Sequence, residues 1–276
     1  MSQAVRRSIL AGQWYPGTAP ELERTVKRYY SAIEPAPVEG RVVGLISPHA
    51  GYVYSGQTAA YAYDQVRGAS FDTVVILSPL HRLPLGRFAV NSAAAYETPL
   101  GTVRVDEELV RILDRAVGVE RVANDAEHSV EIQLPFLQVA LGSFELLPVM
   151  LGESSFEGGA ELGRALATML EARRALIVAS SDMHHIDDCE EVERRDQVVV
   201  DAIATFDLAQ VKKALSPWNC SVCGRIPIYA MLSAAQAMGA DRIRVLHHAT
   251  SCDVTGVRTP GQYTVGYLAA AVYQHK

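Results

Sequence analysis

The chain is short of several things, and each shortage excludes something. Lys and Arg do not outnumber the acids: 25 basic residues stand against 31 acidic ones, giving a formal charge of −6 and a pI near 5.8. Phosphate backbones and anionic bilayers recruit a cationic surplus, so nucleic acid and membrane surfaces are not the expected partners. No apolar run is long enough to span a bilayer. The opening residues "MSQAVRRSILAGQWYPG" have no apolar core of signal-peptide length, because Ile9, Leu10 and Ala11 give way at once to Gly12 and Gln13. The expected location is therefore the cytoplasm. Only four cysteines occur in 276 residues, too few for a disulfide framework and expected to be reduced thiols. Repeats, low-complexity tracts and a Gly/Ser/Pro linker are also missing. The best break, Glu34–Gly40, merely separates a helix from the first core strand, so residues 1–276 are expected to form one domain.

What is present is a set of apolar, β-branched runs: Val42–Ile46, Val74–Leu77, Leu176–Ala179 and Ile243–Leu246. Runs apolar on both faces are expected of central strands covered by helices on each side. Phe144–Leu151 reads as another strand, with Pro148 marking an edge or an end. Tyr263–Val272 is a further candidate whose alanines leave helix open. Helical stripes lie between them: Leu22/Val26/Tyr29/Ile33, Ala59/Ala60/Tyr63/Val66, Leu162/Leu166/Leu170 and Ile226/Ala230/Ala234. Another runs from Leu109 to Val117, with Asp106 as its cap. Alternating strands and helices predict an α/β domain with a largely parallel central sheet.

The eight histidines are not scattered. His49, His81, His184, His185, His247 and His248 fall at or near the ends of these runs; only His128 and His275 do not. Ligands of open α/β sheets bind beyond the carboxyl ends of the strands. Histidines placed there converge although they are far apart in sequence. A single histidine after a strand is more often an ordinary loop residue than a ligand. The matched contexts "ISPH" and "LSPLH" favour the ligand reading for His49 and His81.

The segments "AGQWYPG", "ISPHAGYVYSG", "LSPLHR", "EHSVEIQLPF", "SSDMHH", Cys223-Gly224 and "SCDVTG" occur in this order along nearly the whole chain. Together they resemble the Memo family, whose prokaryotic members are called AmmeMemoRadiSam system protein B. That resemblance implies a fold similar to the class III extradiol ring-cleaving dioxygenases, which hold non-haem Fe(II) with two histidines and a carboxylate. It implies that His49 and His81 are metal ligands, with Cys252 at the third-ligand position where the dioxygenases carry a glutamate. It implies that His185 is the additional catalytic histidine, with His184 as the neighbouring alternative. It also implies a functional link to an AMMECR-like protein and a radical-SAM protein.

Two imidazoles with a carboxylate suit oxygen-activating Fe(II); a thiolate in place of the carboxylate suits Cu or Zn at least as well. The expected cofactor is one metal ion, Fe(II) or Cu first and Zn next. Asp182 either orients His185 or His184 or caps the following segment. His128 and Glu131 would share one face if "EHSVEIQLPF" is helical, and both are expected to line the pocket with Trp14 and Tyr54. Of Tyr52 and Tyr54, at least one is expected in the core. Cys220-x-x-Cys223 is a weak signal, and Cys223 is expected to be a packed thiol. The leading expectation is a metal-dependent oxidoreductase for a small or phenolic substrate. A binding module for a peptide or phosphotyrosine and a zinc hydrolase are the rivals.

Overall fold

The computed structural model describes residues 4–82, 85–153 and 155–275. The chain opens with β1 (Val5–Arg6) and helix α1 (Ala19–Ser31), then enters the core through β2 (Gly40–Ser47), α2 (Tyr52–Asp64) and β3 (Thr73–Pro79). Three short strands follow, β4 (Phe88–Asn91), β5 (Ala95–Thr98) and β6 (Gly101–Arg104), then α3 (Glu107–Val117) and β7 (Glu120–Val122). A 3-10 turn, Glu131–Gln133, leads into α4 (Leu134–Leu141). Next come β8 (Glu145–Leu151), α5 (Phe156–Leu170), β9 (Ala175–Ser180), β10 (Asp182–Ile186), α6 (Cys189–Ala204) and α7 (Leu208–Leu215). The chain continues with α8 (Arg225–Ala237), β11 (Arg242–Thr250), α9 (Ser251–Thr255) and β12 (Thr264–His275).

The central sheet is mixed. Its order is β10-β12-β2-β9-β3-β8-β4-β7, with β11 also on β12. Strands β2, β9, β3 and β8 form a parallel core. Antiparallel flanks extend this parallel core of the expected α/β domain: β12 runs against β2, β10 and β11 run against β12, and β4 runs against β8. The core strands are the runs buried on both faces, and all seven residues of β3 are buried. Helices α2, α1 and α4 cover one face, and α8, with α5 packed on it, lies against β2, β3 and β9. Strand β11 departs from its sequence reading: it is an edge strand, only half buried. Pro148 sits where β4 has not yet begun to pair, since that ladder covers only Met150 and Leu151 of β8. The missing N–H therefore costs no ladder bond on that side. Asp106 caps α3 as expected, accepting from the Leu109 N–H at 2.9 Å.

One feature of the sheet creates the site. Strand β2 ends at Ser47, while its neighbour β12 continues. After β9, the Ser181 N–H donates to the Ser47 carbonyl, and the chain then pairs with β12 as β10. The space vacated by β2 is thus filled by Asp182–Ile186. A register shift between Asp182 and His185 interrupts the ladder. In an unbroken strand, residues three apart face opposite sides; the bulge lets Asp182 and His185 line the same cavity.

Candidate functional site

The cavity at the ends of β2 and β3 has a volume of about 730 Å³, and its walls include His49, His81, His128, Asp182 and His185. A larger open groove of about 1010 Å³, near Lys27, Arg104 and Arg174, has no histidine or cysteine in its walls. The chemistry therefore points to the smaller cavity.

His49 is 2% exposed and is held from two sides. Its backbone N–H donates to Asp182 Oδ1 at 2.7 Å, and its Nδ1 lies 3.0 Å from Ser180 Oγ. The Ser180 hydroxyl spends its one proton on the Ser129 carbonyl (2.7 Å) and accepts from Gln133 Nε2 (2.7 Å). It can therefore only accept from the imidazole. This fixes the proton on Nδ1 and leaves the Nε2 lone pair directed at Cys223 Sγ, 3.1 Å away.

His81 follows the end of β3. Its N–H is bound by the Glu127 carboxylate at 3.0 Å, and its Nδ1 lies 3.5 Å from Glu127 Oε2. Although burial works against its charge, hydrogen bonds from His81 and Arg82 bring the Glu127 carboxyl down to about 2. His128 comes from the turn before α4. The three imidazoles are mutual neighbours, with ring centroids 5.1 Å (His49–His81), 5.2 Å (His49–His128) and 4.6 Å (His81–His128) apart.

Burial sets the protonation of this cluster. It pushes His49 well below the usual imidazole range, aided by repulsion from His128 and His81, and takes His128 down to about 4. His185 is lowered for the same reason. All three are neutral near pH 7 and have lone pairs available. Burial pushes the Cys223 thiol well up and the Asp182 carboxyl up to about 7, the latter opposed by the N–H groups of His49 and Ala50.

One ligand atom each from His49, His81 and Cys223 lies within 4.8 Å of the others, and the same holds for His81, Glu127 and His128. Bonds of about 2.0–2.3 Å from one ion reach atoms that far apart. The buried Nδ1 of His128 and Nε2 of His185 have no hydrogen-bond partner within the protein. Unpaired buried nitrogens are costly, and a ligand in the cavity would satisfy them. The residues present therefore fit a metal ion.

Several expectations are corrected. Cys252 is bonded to Cys189, so not all four cysteines are free thiols. The sulfur beside the histidines belongs to Cys223 and not to Cys252, whose Sγ touches Thr264 Oγ1 at 3.1 Å on the cavity wall. His184 faces away from the cavity: its Nδ1 pairs with Asp196 Oδ1 at 2.8 Å, as strand alternation requires of the neighbour of His185. Asp182 orients neither His184 nor His185 and caps no following segment; it fastens the loop of His49. Glu131 does not line the cavity. It is fully buried and receives Arg6 Nη1, Ser8 Oγ, Tyr15 OH and the N–H groups of Ile9 and Leu10, which pins the N-terminal segment. His128 precedes the 3-10 turn, so the two do not share a helical face. His247 stacks on Tyr61, and His248 binds Asp196; neither reaches the cavity.

Trp14 and Tyr54 line the cavity, Trp14 with its ring 4.7 Å from that of His128. Tyr52 is the core tyrosine, 3% exposed. Tyr263 was not foreseen; its hydroxyl lies 2.9 Å from His185 Nδ1. Glu127 and Ser180 were also missed, because partners that act through backbone or hydroxyl contacts leave no spacing signal. The one trace of Cys223 was its place in the motif set.

The model of Memo-like proteins matches residues 6–271. The chain belongs to the Memo family. A MEMO1 family protein of Methanosarcina acetivorans is 38% identical over 272 residues, covering 97% of this chain and 99% of its own. One from Nitrosopumilus maritimus is 32% identical over 262 residues, covering 91% and 94%. Among solved structures, an uncharacterized protein of Escherichia coli K12, JW3007, superposes with a TM-score of 0.56 at 12% identity, covering 83% of this chain and 99% of that one. That likeness concerns the fold alone. No helix among the described residues is long and apolar enough to cross a membrane.

Proposed function

We propose that this Memo family member binds one metal ion between His49, His81 and Cys223 and oxidises a small or phenolic substrate in the cavity beside it. The observation that carries this reading is the His49 tautomer: a fixed Nδ1–H leaves Nε2 aimed at the sulfur of Cys223. Fe(II) and Cu come first and Zn next, since two imidazoles and a thiolate suit all three. When bound, the metal supplies a positive centre that polarises an oxygen ligand and, if iron or copper, accepts electrons.

The protein's own groups do the rest. His185 presents an unpaired Nε2 to the cavity, while its Nδ1 is engaged by Tyr263. That nitrogen takes a proton from a substrate hydroxyl. Trp14 and Tyr54 offer ring faces for a phenol. Asp182 keeps the loop of His49 in place. Kinship with the class III extradiol dioxygenases, which hold their metal with two histidines and a carboxylate, supports the reading, with the Cys223 sulfur as the third ligand in place of a carboxylate.

A peptide ligand is the second reading, supported by the exposed rim of Val53, Tyr54 and Tyr263 (71%, 45% and 57% exposed). A link to AMMECR-like and radical-SAM proteins belongs to the same proposal. The deciding experiment is metal analysis of anaerobically prepared protein, followed by oxygen uptake with a panel of catechols. Iron or copper with uptake supports oxidation. Zinc with ester or amide cleavage and no uptake makes it a hydrolase. Tyrosyl-peptide binding without metal makes it a recognition module.

A further inference from the structure

On the far side of β10, away from the metal-binding cavity, lies a second pocket of about 230 Å³ whose walls include His184, Arg194, Arg195, Asn219 and Cys220. Asp196, fully buried on α6, binds His184 Nδ1 through Oδ1 at 2.8 Å and His248 Nε2 through Oδ2 at 2.8 Å. Room for that carboxylate exists because residue 266 is glycine; a Cβ there would collide with it. With Nδ1 taken, Nε2 is the nitrogen of His184 left for the pocket whose wall it shares with Cys220. Cys220 is a free, half-buried cysteine.

We propose that Cys220, His184 and Asp196 form a second site, in which the Cys220 thiolate exchanges with small disulfides that carry carboxylates. A nucleophile, an imidazole on the same pocket wall and a carboxylate orienting that imidazole are the three parts an activated thiol needs. Asp196 is shared with His248 and stabilises positive charge on His184, which in turn stabilises the thiolate. The remaining charged groups at the site are Arg194, Arg195 and Glu191. Both guanidiniums bind the single Glu191 carboxylate, leaving one positive charge in excess for an anionic ligand. Trp218, 95% exposed between the pocket residues Pro217 and Asn219, and Val198, 56% exposed, give the mouth an apolar rim.

The step balances without any further reagent. Cys220 releases its proton to solvent beside the imidazolium of His184, and its sulfur attacks one sulfur of the disulfide. A new S–S bond forms, the old one breaks, and the departing thiolate takes a proton from solvent. Cys223 takes no part, since its sulfur faces His49.

The test is the rate of adduct formation at Cys220 with oxidised glutathione and with a neutral disulfide, 2-hydroxyethyl disulfide. Peptide mass mapping separates this adduct from any at Cys223. The reference is a peptide of residues 216–222. At pH 6 the folded protein should react with oxidised glutathione roughly tenfold or more faster than the peptide. His184→Gln should bring it down to the peptide's rate, and Arg194→Ala with Arg195→Ala should erase the preference for the anionic disulfide. A folded-protein rate no greater than the peptide's would overturn the proposal, as would a folded His184→Gln that reacts like wild type. If His184→Gln does not fold, the wild-type pH profile decides. A rate that stays level down to about pH 6 supports the site, and one that tracks an ordinary thiol near 8.5 removes it.

Discussion

Individual residues carry the most direct tests of the metal site. If the third ligand is Cys223, Cys223→Ser should lower metal affinity by more than about a hundredfold, because a neutral hydroxyl replaces a soft thiolate. Cys252→Ser should change it by no more than about threefold, since that sulfur is bonded to Cys189. Competition titrations with Fe(II), Cu and Zn read both, and a large loss in Cys252→Ser alone would return the ligand role to that residue. Ser180→Ala removes the acceptor that fixes the His49 tautomer and should cost about 10–100-fold in affinity, as outer partners of ligating histidines do. His49 and His81 were legible in the sequence because each follows a buried strand after the same Ser-Pro break. Cys223 was not, because its position depends on how residues 217–224 pack against β10. No local pattern encodes that contact.

Elements were legible to the extent that each carries its own periodicity. The buried runs of β2, β3 and β9 and the stripes of α1, α2, α3, α5 and α8 stood out. Strand β10 did not, because "SSDMHH" is polar for a strand and forms one only where β2 leaves β12 uncovered. That junction relies on Gly224. Its N–H is bound by Ser181 Oγ at 2.9 Å, and a Cβ on it would collide with the Ser181 side chain and the Ser180 carbonyl. Gly224→Ala should therefore destabilise the protein by about 1–3 kcal/mol through overpacking. It should also weaken metal binding, because Cys223 is the adjacent residue. Chemical denaturation and a metal titration on the same preparation measure both. A variant with wild-type stability would show that the β9–β10 junction is softer than its close contacts imply.

Across the whole molecule, buried charge ties distant segments together, and one such tie sets a pH dependence of stability. His184 on β10 and His248 on β11 both bind Asp196 of α6. Burial disfavours charge on His184, but its hydrogen bond to Asp196 and the influence of Cys220 overcome it and raise its pKa from 6.5 to about 9. A group with a raised folded pKa stabilises fully below its unfolded value and loses that contribution as pH rises through its folded value. Asp196 is the reverse case. Burial pushes it up, hydrogen bonds from His184 and His248 outweigh that, and its pKa falls below 3.8. Its contribution is present above 3.8 and lost only in stronger acid. The tie should therefore be at full strength between about pH 4 and 6.5 and fade toward pH 9. The difference in Tm between wild type and His184→Gln, measured from pH 5 to pH 10, should be largest near pH 5–6 and shrink steadily above neutrality. A difference that is flat with pH would mean that His184 is neutral in the folded protein. Asp196 would then lie there as an unneutralised buried carboxylate, which the two 2.8 Å contacts from histidine nitrogens argue against.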